Sequence, residues 1–435
     1  MTVPDLTAPR RAKKLTTLDH TLDSGLRVLV VRKPGVPLVE VRLRVPFLSG
    51  RAAQPSRAAL LSDSALTGTD RYDRAGLAAA VQSLGGDLSV GVDADRLLLS
   101  GNALATSLRG LLDVMADVLV GATYPSDEVV AERDRLVERL TMARSRASVV
   151  AGEAIAKRMW GDHPYARDLP EVDDVASATA AQVRRLHTER VRPDGAVLVV
   201  VGDVSPARTL DQVATALDSW SGAPTGSRVP ALPDITTGPL ELVDRADSVQ
   251  SSLRLGASAL ARHDDGYPAL QLANLIFGGY FSSRWTENIR EDKGYTYGPH
   301  SGIDHQSLGS ALHLQAEVAT EVTAPALLET LYELGRFALL PPTPEEVESV
   351  RQYAIGTLAL STATQAGLAS TLAGLAGVGL GPEWLAEHPR RLAKATLDEV
   401  AAAAAEFFAP SRFVTVVVGD ASTVRGPLSA ITSVA

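Results

Sequence analysis

No cysteine occurs in the 435 residues, which excludes disulfide staples, thiolate metal sites and cysteine nucleophiles together. Long apolar runs are missing too: no stretch reaches the roughly 18 residues of a membrane span. The basic N-terminus, Met-Thr-Val-Pro-Asp-Leu-Thr-Ala-Pro-Arg-Arg-Ala-Lys-Lys, is not followed by the apolar segment of a secretion signal. A cytoplasmic protein with no membrane partner is therefore expected. Positive charge is in deficit, with 42 Lys and Arg against 51 Asp and Glu and a net charge of -9. Nucleic-acid binders carry a basic excess or patch, so no nucleic-acid partner is expected. Catalytic signatures are equally scarce: the chain has no H-x-x-E-H, H-E-x-x-H, G-x-S-x-G or P-loop pattern. Trp384-Leu-Ala-Glu387-His388 comes nearest to the first, but with Trp in the leading ligand position. His300, His305 and His313 show no spacing that converges on a metal and read as ordinary polar residues.

What is present is a soluble globular chain, 45% hydrophobic and 21% charged, too long for one ordinary core. Residues 1 to 15 read as a flexible tail. Leu26 to Val31 and Leu38 to Val45, separated by a Pro-Gly turn region, read as a hairpin-like strand pair with one face buried. Helical spacing follows over 56–66 and 74–84, two strands over 88–101, and helices over about 103–120 and 126–145. Thr179 opens another helix, and Val197-Leu-Val-Val-Val-Gly-Asp is a buried strand. Thr179, Val183, Pro193, Gly202 and Asp203 then recur as Thr396, Val400, Pro410, Gly419 and Asp420, each pair 217 positions apart. Such a register means a tandem duplication of one unit, not a solenoid. The expected fold is α+β, with two homologous domains, each a mixed or antiparallel sheet with helices mainly on one face. Expected boundaries are 16–221 and 238–435, joined by a Gly- and Pro-rich linker at 222–237.

The most informative stretch runs from Leu275 to Tyr297. Gly278 and Gly279 interrupt an apolar helical run and permit close backbone approach. Ser282 or Ser283 is placed to cap a short helix that turns Trp285 and Ile289 inward. Arg290 leaves that helix, and Tyr297 opens an extended segment seven residues later. A cation and a phenol held near each other suit the gripping of a peptide carbonyl. The competing reading pairs Arg290 with Glu287 or Glu291 at the surface and packs Tyr297 as an ordinary strand aromatic.

The Gly-Gly, Ser-Ser-Arg, Arg290 and Lys-Gly-x-x-Tyr297 pattern resembles the C-terminal half of the pitrilysin/insulinase (inverzincin) zinc peptidases, particularly the subfamily similar to mitochondrial processing peptidase. The resemblance extends through His163-Pro-Tyr and both Val-Gly-Asp strand ends. It implies duplicated α+β domains, a clam-like pairing of two chains, and an Arg/Tyr pair that binds substrate beside a zinc site. Family members carry H-x-x-E-H on the first long helix, ahead of a Gly-Thr that here is Gly68-Thr69. Counting back puts those positions on Ala59, Ser62 and Asp63, so both histidines and the glutamate base are missing. Only Glu132 matches the distal glutamate ligand, and a lone helical carboxylate reads more simply as a solvated charge.

Loss of the zinc motif with retention of Arg290 and Tyr297 resembles one side of the division of labour known in that family. The expectation is a non-catalytic, substrate-binding subunit, holding no metal or cofactor itself. A homologous H-x-x-E-H partner would carry Zn2+, and the pair would cleave unfolded peptides, leader-peptide removal being one such task. Gly278 and Gly279 would form the substrate loop, shorter than the glycine-rich loop of the mitochondrial subunit. The alternative is a catalytically inert scaffold or peptide-binding homologue.

Overall fold

The computed structural model describes residues 15–167, 169–225 and 229–435; nearly all of the expected N-terminal tail lies outside them. The first half contributes β1 (Thr16–Thr21), β2 (Arg27–Arg32), β3 (Leu38–Pro46), β4 (Asp87–Val92), β5 (Arg96–Leu104) and β6 (Val197–Gly202). They form one sheet in the order β1-β2-β6-β3-β5-β4. The second half contributes β7 (Glu241–Asp244), β8 (Gln250–Ala259), β9 (His300–Gln306), β10 (Gly309–Ala319) and β11 (Val414–Gly419), ordered β7-β11-β8-β10-β9. Without β1 the two orders are the same. With β1 set aside, the last strand of each sheet inserts beside the first and runs parallel to it, β6 with β2 and β11 with β7, while all other neighbours, β1 with β2 included, are antiparallel. The duplication read from the sequence is thus a duplication of topology.

The expected hairpin of β2 with β3 does not form. β6 lies between them, pairing Val28 with Leu198 on one side and Leu43 with Leu198 on the other. The reason is in β6 itself: Leu198 to Val201 are apolar at successive positions and fully buried, as a strand covered on both faces requires. β3 instead alternates inward Val39, Val41, Leu43 and Val45 with polar neighbours.

The recurring residues have backbone duties. Thr179 and Thr396 each accept from the amide three residues on, and Gln182 and Glu399 reach back to the cap amide, closing two capping boxes. Gly202 and Gly419 stand where chains nearly touch. A Cβ would lie 2.5 Å from the Leu38 carbonyl oxygen in the first case and 2.4 Å from Ser251 Oγ in the second.

Helices of each half cover one face of its own sheet. The other face is covered by an exchanged helix, which the one-face expectation did not include. Ala147–Trp160, from the first half, lays Ala151 on Val416 and Val418 of β11. Its counterpart Gln365–Gly377, from the second half, lays Leu368, Ala369, Leu372 and Ala373 on Leu29, Val31, Val199 and Val201. The halves enclose a cavity of about 1130 Å³ between the two exchanged helices and both sheets. Across its rim Asp95 accepts from the Tyr165 hydroxyl at 2.7 Å and from the Ser307 amide at 2.8 Å. No helix among the described residues is long and apolar enough to cross a membrane.

Candidate functional site

The helix Tyr267–Asn274 runs on into a wider π-type turn, Leu275–Gly279, a form often found where a sequence is bent to a purpose. Gly278 is needed there because a Cβ would sit 2.9 Å from both Ser301 Cβ and Trp285 Cε3. The Asn274 amide donates to the Ser301 carbonyl at 3.3 Å, and the Ser301 hydroxyl donates back to Asn274 Oδ1 at 2.5 Å. Gly278 and Gly279 therefore seat this turn against β9. The expected substrate loop is a packing joint at this point.

After the turn the chain re-enters helix at Arg284–Thr286 and passes into a second π-type turn, Glu287–Asp292. Ser283 precedes it with extended backbone, yet its hydroxyl donates to Thr286 Oγ1 at 2.8 Å and caps no amide. Trp285 and Ile289 are buried as expected; the Trp285 indole donates to Thr330 Oγ1 at 3.0 Å and stacks on Phe277. Arg284 forks onto Glu346 with two 2.7 Å bonds, and the Asn288 amide donates to Glu329 and Glu333 at 3.0 and 2.9 Å. The element is thus fixed on its inner side at several points.

Arg290 occupies the outer side. Its guanidinium carbon lies 4.1 Å from the centre of the Phe281 ring and 5.2 Å from that of Tyr297. Its Nε lies 3.3 Å from Glu291 Oε1. Gly294, at φ +65, turns the chain back so that Tyr297 meets Arg290. Both readings of the pair hold in part: Arg290 does pair with Glu291, and it also contacts Tyr297. Tyr297 begins no strand, because β9 starts at His300, and the residue is 88% exposed. Phe281, 64% exposed, is the member that the sequence reading missed. Ring contacts of this kind attract a guanidinium while leaving N–H groups for an acceptor.

The other predicted site positions lie on two helices of the first half, Gln54–Ser64 and Ser126–Arg144. Ala59 lines a cavity of about 100 Å³ beside Phe47 and Val92. The Ser62 hydroxyl donates to the Val90 carbonyl at 3.1 Å. Asp63 forms an ion pair with Arg139 from the second helix. Burial lifts the Asp63 carboxyl above its ordinary range, and the guanidinium offsets only part of that. Glu132 is not the solvated charge expected: it is 6% exposed and accepts from Arg74 and, at 2.6 Å, from Arg135. Burial pushes its pKa up, but the two arginines outweigh burial and hold it below the usual range. The Ser126–Arg144 helix therefore turns a cation, Arg139, towards Asp63. Zinc requires neutral nitrogen, thiolate or carboxylate donors, and an alanine, a serine hydroxyl and an arginine-paired aspartate do not supply them. Among the described residues no group of three or more His, Cys, Asp or Glu is arranged to hold a metal ion.

The model for insulinase, peptidase family M16, matches residues 28–171, and that for the peptidase M16 inactive domain matches residues 177–353. The chain belongs to peptidase family M16. An uncharacterized zinc protease of Mycobacterium tuberculosis is 26% identical over 407 residues, covering 91% of this M16 chain and 90% of its own. A probable inactive metalloprotease of Bacillus subtilis is 29% identical over 198 residues, 44% of this chain and 45% of that one. Among solved structures, a peptidase M16 inactive domain from Pseudomonas fluorescens superposes with a TM-score of 0.86 at 22% identity, over 93% of this chain and 98% of that one. A protease from Helicobacter pylori gives 0.85 at 17% identity, over 93% and 100%. These likenesses establish the M16 fold for both halves.

Proposed function

We propose that this M16 chain is the non-catalytic, substrate-binding subunit of a heterodimeric zinc metallopeptidase acting on unfolded peptides. The observation that carries the reading is the Arg290–Tyr297 contact, built on a closely packed inner side yet facing solvent, with Tyr297 88% exposed. A tyrosine held this way by a cation meets a second molecule or nothing. The partner is a homologous chain bearing H-x-x-E-H, whose zinc supplies the activated water. This chain's part is binding: Arg290 donates to a substrate carbonyl, and the Tyr297 hydroxyl donates to the oxygen on which negative charge develops. Leader-peptide removal from a ribosomally made peptide fits such a pair in the cytoplasm.

The test is cleavage of a mixed unstructured peptide pool by this chain, by an H-x-x-E-H homologue from the same organism, and by the two together. Activity in the mixture alone is the expected result. A zinc-loaded homologue that gains nothing from this chain would leave it an inert scaffold.

A further inference from the structure

The degenerate motif could be merely eroded, an empty place that a metal would refill if its ligands were restored. The side chains around it indicate otherwise. Three arginines converge on the two carboxylates at the ends of the predicted ligand set: Arg139 on Asp63, and Arg74 and Arg135 on Glu132. Of these, Arg139 is the one that crosses from the Ser126–Arg144 helix to the Gln54–Ser64 helix, 76 residues away in sequence. A divalent cation held between two helices neutralises carboxylates on both and ties the helices together. A guanidinium does the same with one end fixed covalently to the chain, and its charge repels a second cation from the same place.

We infer that Arg139 is the built-in cation of this site, standing where the metal of an intact H-x-x-E-H centre would stand and excluding divalent ions from it. Glu132 is the less apt distal position, since it is fully engaged two turns away by Arg74 and Arg135. The inference concerns the first half alone and does not depend on the role of Arg290 and Tyr297. Restoring the motif is then insufficient for metal binding, and Arg139 has to change along with it. The cavity of about 100 Å³ at Ala59 leaves space for an imidazole.

The test is zinc content per chain, measured after incubation with excess zinc and desalting. The parent is expected to retain none, and so is the variant Ala59→His/Ser62→Glu/Asp63→His. Adding Arg139→Glu to those three substitutions is expected to raise retention to about one zinc per chain, by analogy with closed His and Glu ligand sets. Stoichiometric zinc in the parent or in the threefold variant overturns the inference, as does a folded fourfold variant that binds none. Should the fourfold variant fail to fold, Ala59→His/Asp63→His/Arg139→Glu, which leaves Ser62 in place and still offers three ligands, asks the same question. Its Tm should rise on zinc addition while that of Ala59→His/Asp63→His does not; a rise in the variant that keeps Arg139, or no rise in the one that lacks it, overturns the inference.

Discussion

Arg290 lies against the Phe281 and Tyr297 rings and beside Glu291, contacts that narrow the directions its guanidinium can take before any substrate arrives. Such preorganisation is what makes a donor useful in a transition state, since nothing has to reorient as charge develops. Tyr297 adds a hydroxyl on a ring that already touches the same cation, which separates the two roles experimentally. Tyr297→Phe keeps the ring and the contact with Arg290 and removes only the donor. One donor of this kind is worth about 3 to 4 kcal/mol, so kcat of the assembled pair should fall by roughly two to three orders of magnitude while co-purification is unchanged. A kcat within about threefold of the parent would remove the hydroxyl from the chemistry. The Arg290–Tyr297 pairing was legible through the family resemblance, since the residues alone left open a surface Arg–Glu pair and an ordinary strand aromatic. Phe281 was not legible, since an aromatic residue after Gly-Gly carries no mark of what it will stack on. Arg139 was missed for the opposite reason: a search for metal ligands looks for acids and imidazoles, and the informative residue was a cation.

At the scale of elements, the second half contains a buried cluster that the proposed function does not use. The helix Trp384–Lys394 stacks Trp384 on His388, whose Nε2 donates to Gln271 Oε1 at 2.7 Å. On β9, His305 hydrogen-bonds to Ser310 at 2.7 Å and to the Tyr267 hydroxyl at 3.2 Å. Burial, with Arg262 and Arg391 nearby, pushes the His388 imidazole down to about 3, and burial with Arg262 and His388 does the same to His305. The unfolded chain, with ordinary imidazoles near 6.5, therefore takes up protons first as pH falls. Stability from this pair is complete above about pH 6.5 and is lost progressively down to about 3. By pH 5 the loss is about 2 kcal/mol per histidine. Denaturant unfolding at pH 7.5 and 5 should show it, and His388→Gln should shrink the difference by about 2 kcal/mol; an unaltered difference would mean that His388 is not held neutral. The elements that repeat were readable because their repeated residues do backbone work: capping hydroxyls at Thr179 and Thr396, and missing side chains at Gly202 and Gly419. Which strand pairs with which was harder to read. A buried valine run marks β6 as central, yet nothing local says that it will separate β2 from β3.

For the whole molecule the exchanged helices matter most. The sequence reading placed no element at Gln365–Gly377, whose alanines, glycines and leucines make no one-sided apolar stripe, and nothing local says that the sheet it covers was laid down in the other half. Leu372 is fully buried against that sheet, so Leu372→Ala should cost about 2 to 5 kcal/mol. Its effect should also cross the molecule: amide exchange should quicken in β2 and β6, in the half that does not contain the substitution. Loss of protection confined to residues beyond 238 would show that the halves are stabilised separately. The exchange also has a consequence on the ribosome. Leu29, Val31, Val199 and Val201 have been made once Gly202 is added, but their cover ends at Gly377. At roughly 5 to 20 residues per second, that sheet face emerges and stays bare for about 10 to 35 seconds, long enough for a chaperone to be the first thing it meets.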